Sequence, residues 1–294
     1  MERHLIKQRT SYVMSLPIAW VRKHHLQGGA SLTVTAQKEG LLITAPSMRA
    51  EESIEIAFDA ECSDVIWMKM IAAYVSGYTN IALTFARTEV PFTKTKEKRA
   101  VSVQQLLSDM ATQFVGMELF ERTATKGVFR NLLIEGQKEL DNALQRMFYV
   151  IKEMLKETIE TREYLGIIEM DISVNRLKNF CLRMLNMYPQ QQQSFLLKLV
   201  DGLEQLADGI VVLLRYCVQH PPTPQLLKRC GEVLALFTRT HAGYASGDLN
   251  EVVVATKQLA RELTYTPQDL LLLRLVDMLT EVQEAIVGIG LEKT

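Results

Sequence analysis

The stretch LLKLVDGLEQLADGIVVLLRYC, residues 196–217, decides the fold class of the C-terminal half of the chain. Its apolar side chains recur every three or four residues without a break, which is the spacing of one face of an α-helix. At 1.5 Å per residue, such a helix is about 30 Å long. The stripe consists of Leu196, Leu199, Leu203, Leu206, Ile210, Leu213 and Cys217. We therefore predict a long amphipathic helix that packs in a helical bundle.

The helical pattern extends from about residue 131 to the end of the chain, with a second apolar stripe in residues 140–158. Residues that break helices mark four loops, at Pro189, residues 220–224, residues 243–247 and Pro267. These loops divide the region into about six helices. We interpret them as two three-helix repeats, residues 131–220 and 225–290.

Residues 1–46 show short β-rich segments around one helix. Pro17 suits the first turn of that helix, because proline lacks the N–H that a first turn leaves unbonded. Gly28-Gly29 ends the helix, which we expect to run to about His25. The predicted strands are Tyr12–Leu16, Leu32–Thr35 and Leu41–Thr44.

Residues 50–130 mix strand and helix patterns, in an order typical of a small α/β sandwich. The predicted elements are a strand at Ser53–Phe58, a helix at Asp64–Ser76, a strand at Ile81–Phe85, a helix ending near Gly116 and a strand or hairpin at Met117–Val128. The predicted fold class is therefore multidomain α+β, with a β-rich head, an α/β middle domain and an all-α C-terminal region.

Positive charge is concentrated at the N-terminus. The whole chain has a net charge of −1, whereas residues 1–45 carry six lysines and arginines against two glutamates, a net charge of 6 − 2 = +4. A basic surface of this kind attracts the phosphates of nucleic acid. The candidate DNA-binding residues are Arg3, Lys7, Arg9, Arg22 and Lys23.

Arg3, Lys7 and Arg9 all stand at odd-numbered positions, so an uninterrupted strand would present them on one face. The alternative is an ordinary solvated surface, on a domain that only dimerises or binds another protein.

The order of strand, proline, helix and glycine turn resembles the swapped-hairpin domain of AbrB/SpoVT transcription factors. The residues that carry the resemblance are Tyr12-Val13-Met14-Ser15-Leu16-Pro17, Trp20, and Leu26-Gln27-Gly28-Gly29 before the strand Ser31–Thr35. It implies that two chains interleave their hairpins into one β-barrel, whose basic side chains face DNA. The chain departs from the family at Gly29-Ala30, where an acidic residue usually follows the glycine.

The rest of the chain resembles archaeal PhoU-like phosphate-uptake regulators that carry such a head. Residues 73–78 and Val115-Gly116-Met117-Glu118 are similar to their linker domain, and residues 168–177 and 203–208 stand where the PhoU fold has acidic motifs. The resemblance implies control of phosphate uptake and phosphate homeostasis, through a promoter, through the ATPase of a phosphate ABC transporter, or through both. The alternative is a scaffold or metal-binding helical protein whose head only dimerises.

The resemblance also implies a possible metal site. In PhoU proteins, carboxylates at i and i+4 on neighbouring helices bind transition-metal clusters, which makes Asp171, Glu204 and Asp208 candidate ligands for iron or zinc. Two positions depart from the family, because Asn175 replaces a carboxylate and Gly209 stands where histidine is common. The alternative is a solvated flank beside the apolar stripe.

Motifs of catalysis are absent from the sequence, and no segment is apolar enough to span a membrane. The four cysteines lie far apart and are expected to be reduced thiols. We therefore expect a cytoplasmic protein that is not an enzyme and does not insert into a membrane.

Overall fold

The computed structural model describes residues 3–23, 26–37, 40–44, 52–92, 99–133, 137–160, 164–188, 190, 192–264 and 266–291. The chain divides into two compact units, Met1–Glu52 and Ser53–Thr294. It is a mixed α and β protein with a helix-rich C-terminal region, as the sequence predicts.

The first unit contains two antiparallel hairpins and a short helix. Its elements are β1 (Ile6–Gln8), β2 (Ser11–Val13), α1 (Ile18–Lys23), β3 (Thr33–Gln37) and β4 (Gly40–Thr44). Strand β1 pairs with β2, and β3 pairs with β4. The carbonyl of Pro17 accepts a hydrogen bond from the N–H of Val21, so the proline stands at the start of α1. The predicted strand Tyr12–Leu16 ends earlier, at Val13, and residues 24 and 25 lie outside the described residues.

The second unit begins with a four-stranded sheet. The elements of this α/β part of the unit are β5 (Ser53–Phe58), α2 (Ser63–Val75), β6 (Asn80–Phe85), β7 (Glu89–Phe92), β8 (Arg99–Ser102), α3 (Val103–Ala111), β9 (Met117–Arg122) and β10 (Lys126–Asn131). The strand order is β5-β6-β10-β9, in which β5 and β6 are parallel and the other pairs antiparallel. The predicted strands, helices and hairpin are present, although α3 ends at Ala111 and not near Gly116. The additional hairpin β7–β8 was not predicted.

One face of this sheet packs against α2 and α3. The buried side chains of that layer include Ile66 and Met70 from α2, Leu107 from α3, and Leu83 and Phe129 from the sheet. Alternate residues of β6 point into this core, as expected for a strand with one buried face.

Six helices follow, as predicted. They are α4 (Gln137–Glu160), α5 (Tyr164–Met187), α6 (Gln193–Gln219), α7 (Pro224–Ser246), α8 (Asn250–Glu262) and α9 (Pro267–Leu291). The start of α7 shows why the proline-rich segment separates two helices. Thr223 caps α7 by accepting a hydrogen bond from the N–H of Leu226 (3.1 Å), and Pro224 occupies the first turn.

The apolar stripe of α6 is buried: apart from the partly buried Cys217, its members are at most 7% exposed. Helix α6 packs extensively against α9. Glycines permit this close approach, because a Cβ at Gly209 would lie 2.6 Å from Cδ2 of Leu275 and 3.1 Å from Sδ of Met278. All six helices contribute to one hydrophobic core.

Gly209→Ala should therefore lower the free energy of unfolding by about 1–3 kcal/mol, because the new methyl group must displace buried side chains. Gly231→Ala is the matched control, since a Cβ at that position in α7 has no heavy atom within 4 Å. The control should be neutral or stabilising by up to about 1 kcal/mol, the helix propensity gained on replacing glycine. Urea unfolding of both variants tests the packing, and equal stabilities would contradict it.

Candidate functional site

Four of the five predicted DNA-binding residues have described side chains, and all four are exposed: Arg3, Lys7, Arg9 and Arg22. The side chain of the fifth, Lys23, lies outside the described residues. Lys7 stands in β1 opposite Tyr12 of β2.

The uninterrupted strand that would present Arg3, Lys7 and Arg9 on one face is not formed. Strand β1 ends at Gln8, and Arg9 has a φ of 54°, in the left-handed region that non-glycine residues seldom adopt. The favoured two-residue hairpin turns have such a conformation at their first central residue. The hydroxyl of Ser11 donates to the carbonyl of Gln8 across this turn (3.1 Å). Arg9 therefore lies at the tip of the hairpin.

Apolar side chains of the first unit are exposed to an unusual degree. Eight of them are between 40% and 69% exposed: Leu5, Ile6, Tyr12, Val13, Met14, Ile18, Val34 and Leu41. Neither hydrophobic core formed by the described residues includes a member of this unit. A single copy of the unit thus leaves most of its apolar surface uncovered, and burial of such surface is the main source of folding free energy.

A polar seam lies along the contact between α5 and α6. It comprises Tyr164, Asp171, Asn175 and Lys178 of α5, and Asp201, Glu204, Asp208 and Arg215 of α6. On each helix, three of the seam residues follow one another at intervals of seven, a spacing that keeps side chains on one helix face. At one end, Nε of Arg215 donates to the hydroxyl of Tyr164 (3.0 Å).

At the other end, Nζ of Lys178 lies 3.0 Å from the carboxylate of Glu204 and 3.5 Å from that of Asp201. Glu204 is only 16% exposed, whereas Asp201 is 50% exposed. The sequence analysis did not single out Lys178, although a lysine three residues after Asn175 falls on the same helix face.

Asp171 has few partners in the seam. Its Oδ1 is buried without a hydrogen-bond donor, and its Oδ2 lies 3.5 Å from Nδ2 of Asn175. Burial raises the pKa of Asp171 to about 6, and the negative charges of Asp208 and Glu204 raise it as well, while Arg215 acts in the opposite direction. The carboxyl group therefore gains a proton as the pH falls through about 6.

The three predicted metal ligands, Asp171, Glu204 and Asp208, influence one another electrostatically but do not form a ligand set. The carboxylate of Glu204 is engaged by Lys178. Position 209 has no space for a histidine, because Leu275 of α9 lies against it. Across the described ranges, no group of three or more His, Cys, Asp or Glu side chains is arranged to hold a metal ion. The residues present do not fit a transition-metal cluster.

No protein-family model matches the chain, and neither a curated protein nor a solved structure is significantly similar to it. Among the helices that the structure describes, none combines the length and the apolar composition needed to cross a lipid bilayer.

The raised pKa of Asp171 predicts how stability depends on pH. Between its ordinary value of 3.8 and about 6, the folded protein holds a proton that the unfolded chain releases. Stability contributed by this group is therefore lost as the pH rises through 6. Asp171→Asn should raise the melting temperature at pH 8, and this gain should disappear near pH 4.

Asp277→Asn removes an exposed carboxylate of α9 and controls for the change in net charge. Thermal melts at several pH values compare the two variants with the wild type. An Asp171→Asn variant that is less stable than the wild type at pH 8 would contradict the burial of Oδ1 of Asp171 without a hydrogen-bond donor.

Proposed function

We propose that this chain is a homodimeric, non-enzymatic regulator of phosphate uptake that binds DNA through its first unit and acts in the cytoplasm. The observation that carries the proposal is the surface of that unit, which combines exposed apolar side chains with exposed basic ones. The proposed head resembles an AbrB/SpoVT domain, and the proposed sensing part is a PhoU-like bundle of two three-helix repeats.

A second copy of the chain is the proposed cover for the apolar side chains. A unit of 52 residues buries too little surface to be more than marginally stable alone. A two-fold symmetric dimer matches each apolar side chain with an equally uncovered surface on its partner. Two pairs of hairpins would then interleave into the β-barrel that the AbrB resemblance implies.

DNA is the proposed ligand of the basic side chains. Arginine and lysine neutralise phosphates, and a dimer doubles the number of such contacts. The backbone at Arg9 adds support, because a glycine would adopt its left-handed conformation without strain. A strained residue that a glycine could replace suggests a functional side chain. We assign phosphate contacts to Arg3, Lys7, Arg9, Arg22 and Lys23.

The bundle is the proposed sensing or docking part, and the ATPase of a phosphate ABC transporter is a candidate partner. The alternative function is a scaffold whose head dimerises without binding DNA. The exposed apolar side chains support this scaffold as well as they support the regulator, because both need a dimer. A metal-binding scaffold has less support, because Lys178 engages one of the three candidate carboxylates.

If the chain is a dimer, a charge placed in the dimer interface should dissociate it. In sedimentation experiments, the full chain should have twice its mass of 33.4 kDa. Ile6→Asp places a carboxylate on a strand residue that is 64% exposed and should give a monomer, because burying an unpaired charge is unfavourable. Val254→Asp, at a residue of α8 that is 66% exposed, is the control and should stay dimeric. A monomeric wild type would end the proposal of a dimer.

DNA binding should depend on the basic residues of the first hairpin. The double variant Lys7→Ala/Arg9→Ala should bind the DNA upstream of its own gene more weakly than the wild type. The slope of log affinity against log salt should become shallower by about 0.9 for each phosphate that the variant no longer neutralises. Gel-shift titrations at several salt concentrations measure both effects.

Lys156→Ala/Lys257→Ala is the matched control, because it removes two exposed lysines of α4 and α8 and changes the net charge equally. Equal weakening by both double variants would show that only overall charge matters. If the wild-type dimer does not bind DNA at all, the scaffold function replaces the regulator.

A further inference from the structure

Arg183 of α5 is fully buried, which is unusual for a charged side chain. Its Nη1 donates hydrogen bonds to the carbonyls of Tyr74 (2.6 Å) and Tyr78 (3.0 Å), and its guanidinium lies 4.9 Å from the ring centroid of Tyr74. Nearby on α5, the side-chain amide of Asn186 donates to the carbonyl of Val75 (3.1 Å). Two residues of the bundle thus bind the C-terminal end of α2.

This arrangement satisfies an electrostatic need of both partners. The last turn of α2 has no basic residue of its own, although the C-terminus of a helix carries partial negative charge. Burying a guanidinium is costly unless acceptors meet it, and here two carbonyls accept from Nη1. The cation that caps α2 therefore comes from the bundle, 109 residues later in the sequence.

Tyr74 extends the contact into the rest of the α/β layer. It is fully buried, and its ring lies 4.9 Å from that of Phe114, after the end of α3. Its hydroxyl donates to the carbonyl of Val115 (2.8 Å), next to the turn that leads into β9. A continuous series of contacts thus links α5 to α2 and then to the segment before β9.

We propose that Arg183 couples the position of α5 in the bundle to the conformation of the α/β layer, through the end of α2 and the Tyr74 side chain. The guanidinium fork is directional, so a shift or rotation of α5 by about an ångström or two would break its hydrogen bonds. A ligand or partner that moves α5 would then loosen the segment before β9. The inference does not depend on whether the first unit binds DNA.

Hydrogen exchange of the full chain tests the coupling. Amides at the end of α2 report on the first link, because Gly77 N–H donates to Tyr74 and Tyr78 N–H to Ala73. The amide of Met117, which donates to Phe114, reports on the second link. Arg183→Lys keeps the charge but removes the planar fork. It should speed exchange about tenfold or more at all three amides, while amides of α6 stay protected.

Tyr74→Phe separates the two links, because it removes only the hydroxyl that donates to Val115. It should speed exchange at Met117 and leave Gly77 and Tyr78 as slow as in the wild type. Arg146→Lys is the control, because Arg146 also lies over a tyrosine ring, 5.1 Å from the ring centroid of Tyr149. This variant should leave the exchange of all three amides unchanged.

Three results would overturn the coupling. Faster exchange at Gly77 and Tyr78 alone in Arg183→Lys would mean that Arg183 caps α2 and does nothing further. A uniform increase across both the α/β layer and α6 would mean that Arg183 contributes only to overall stability. No change anywhere would mean that its hydrogen bonds do not hold these segments.

Discussion

The architecture of residues 53–294 depends on the packing of α6 in the bundle core. Its apolar stripe is buried, and Gly209 lets α9 approach closely, so the six helices share one core. The same helix carries the α6 residues of the polar seam on its α5-facing flank. Helix α5 takes part in both polar sites, because it carries the other residues of this seam and also holds Arg183 against the end of α2. Burial in the bundle thus determines the geometry of both polar sites.

Much of the second unit could be predicted from periodicity, because each helix and most strands bury one face in one of its two hydrophobic cores. The hairpin β7–β8 escaped prediction for a physical reason. Strand β7 buries only Val90 and contains Pro91, so it shows little alternation and an apparent strand breaker. In the first unit, the φ of Arg9 follows from the pairing of β1 with β2, and no local pattern fixes that register.

The candidate sites were less predictable than the fold, because polar contacts join residues that are far apart in sequence. The i and i+4 carboxylates were found from spacing, but their engagement by Lys178 depends on how α5 and α6 align. Arg183 left a detectable signal, since it interrupts an apolar segment between Cys181 and Met184. Its partner, Tyr74, lies in a stretch that the PhoU resemblance singled out. The resemblance gave no reason for the tyrosine, whereas the structure gives one.

The proposed role of the first unit is to direct a PhoU-like bundle to DNA that controls phosphate uptake. Selection of bound fragments from the organism's own genomic DNA tests it most directly, with the purified full chain compared against a chain that lacks residues 1–52. If the first unit has this role, the full chain should enrich fragments upstream of phosphate-transport genes, and the shortened chain should not. Equal enrichment by both chains, or no enrichment by either, would contradict it.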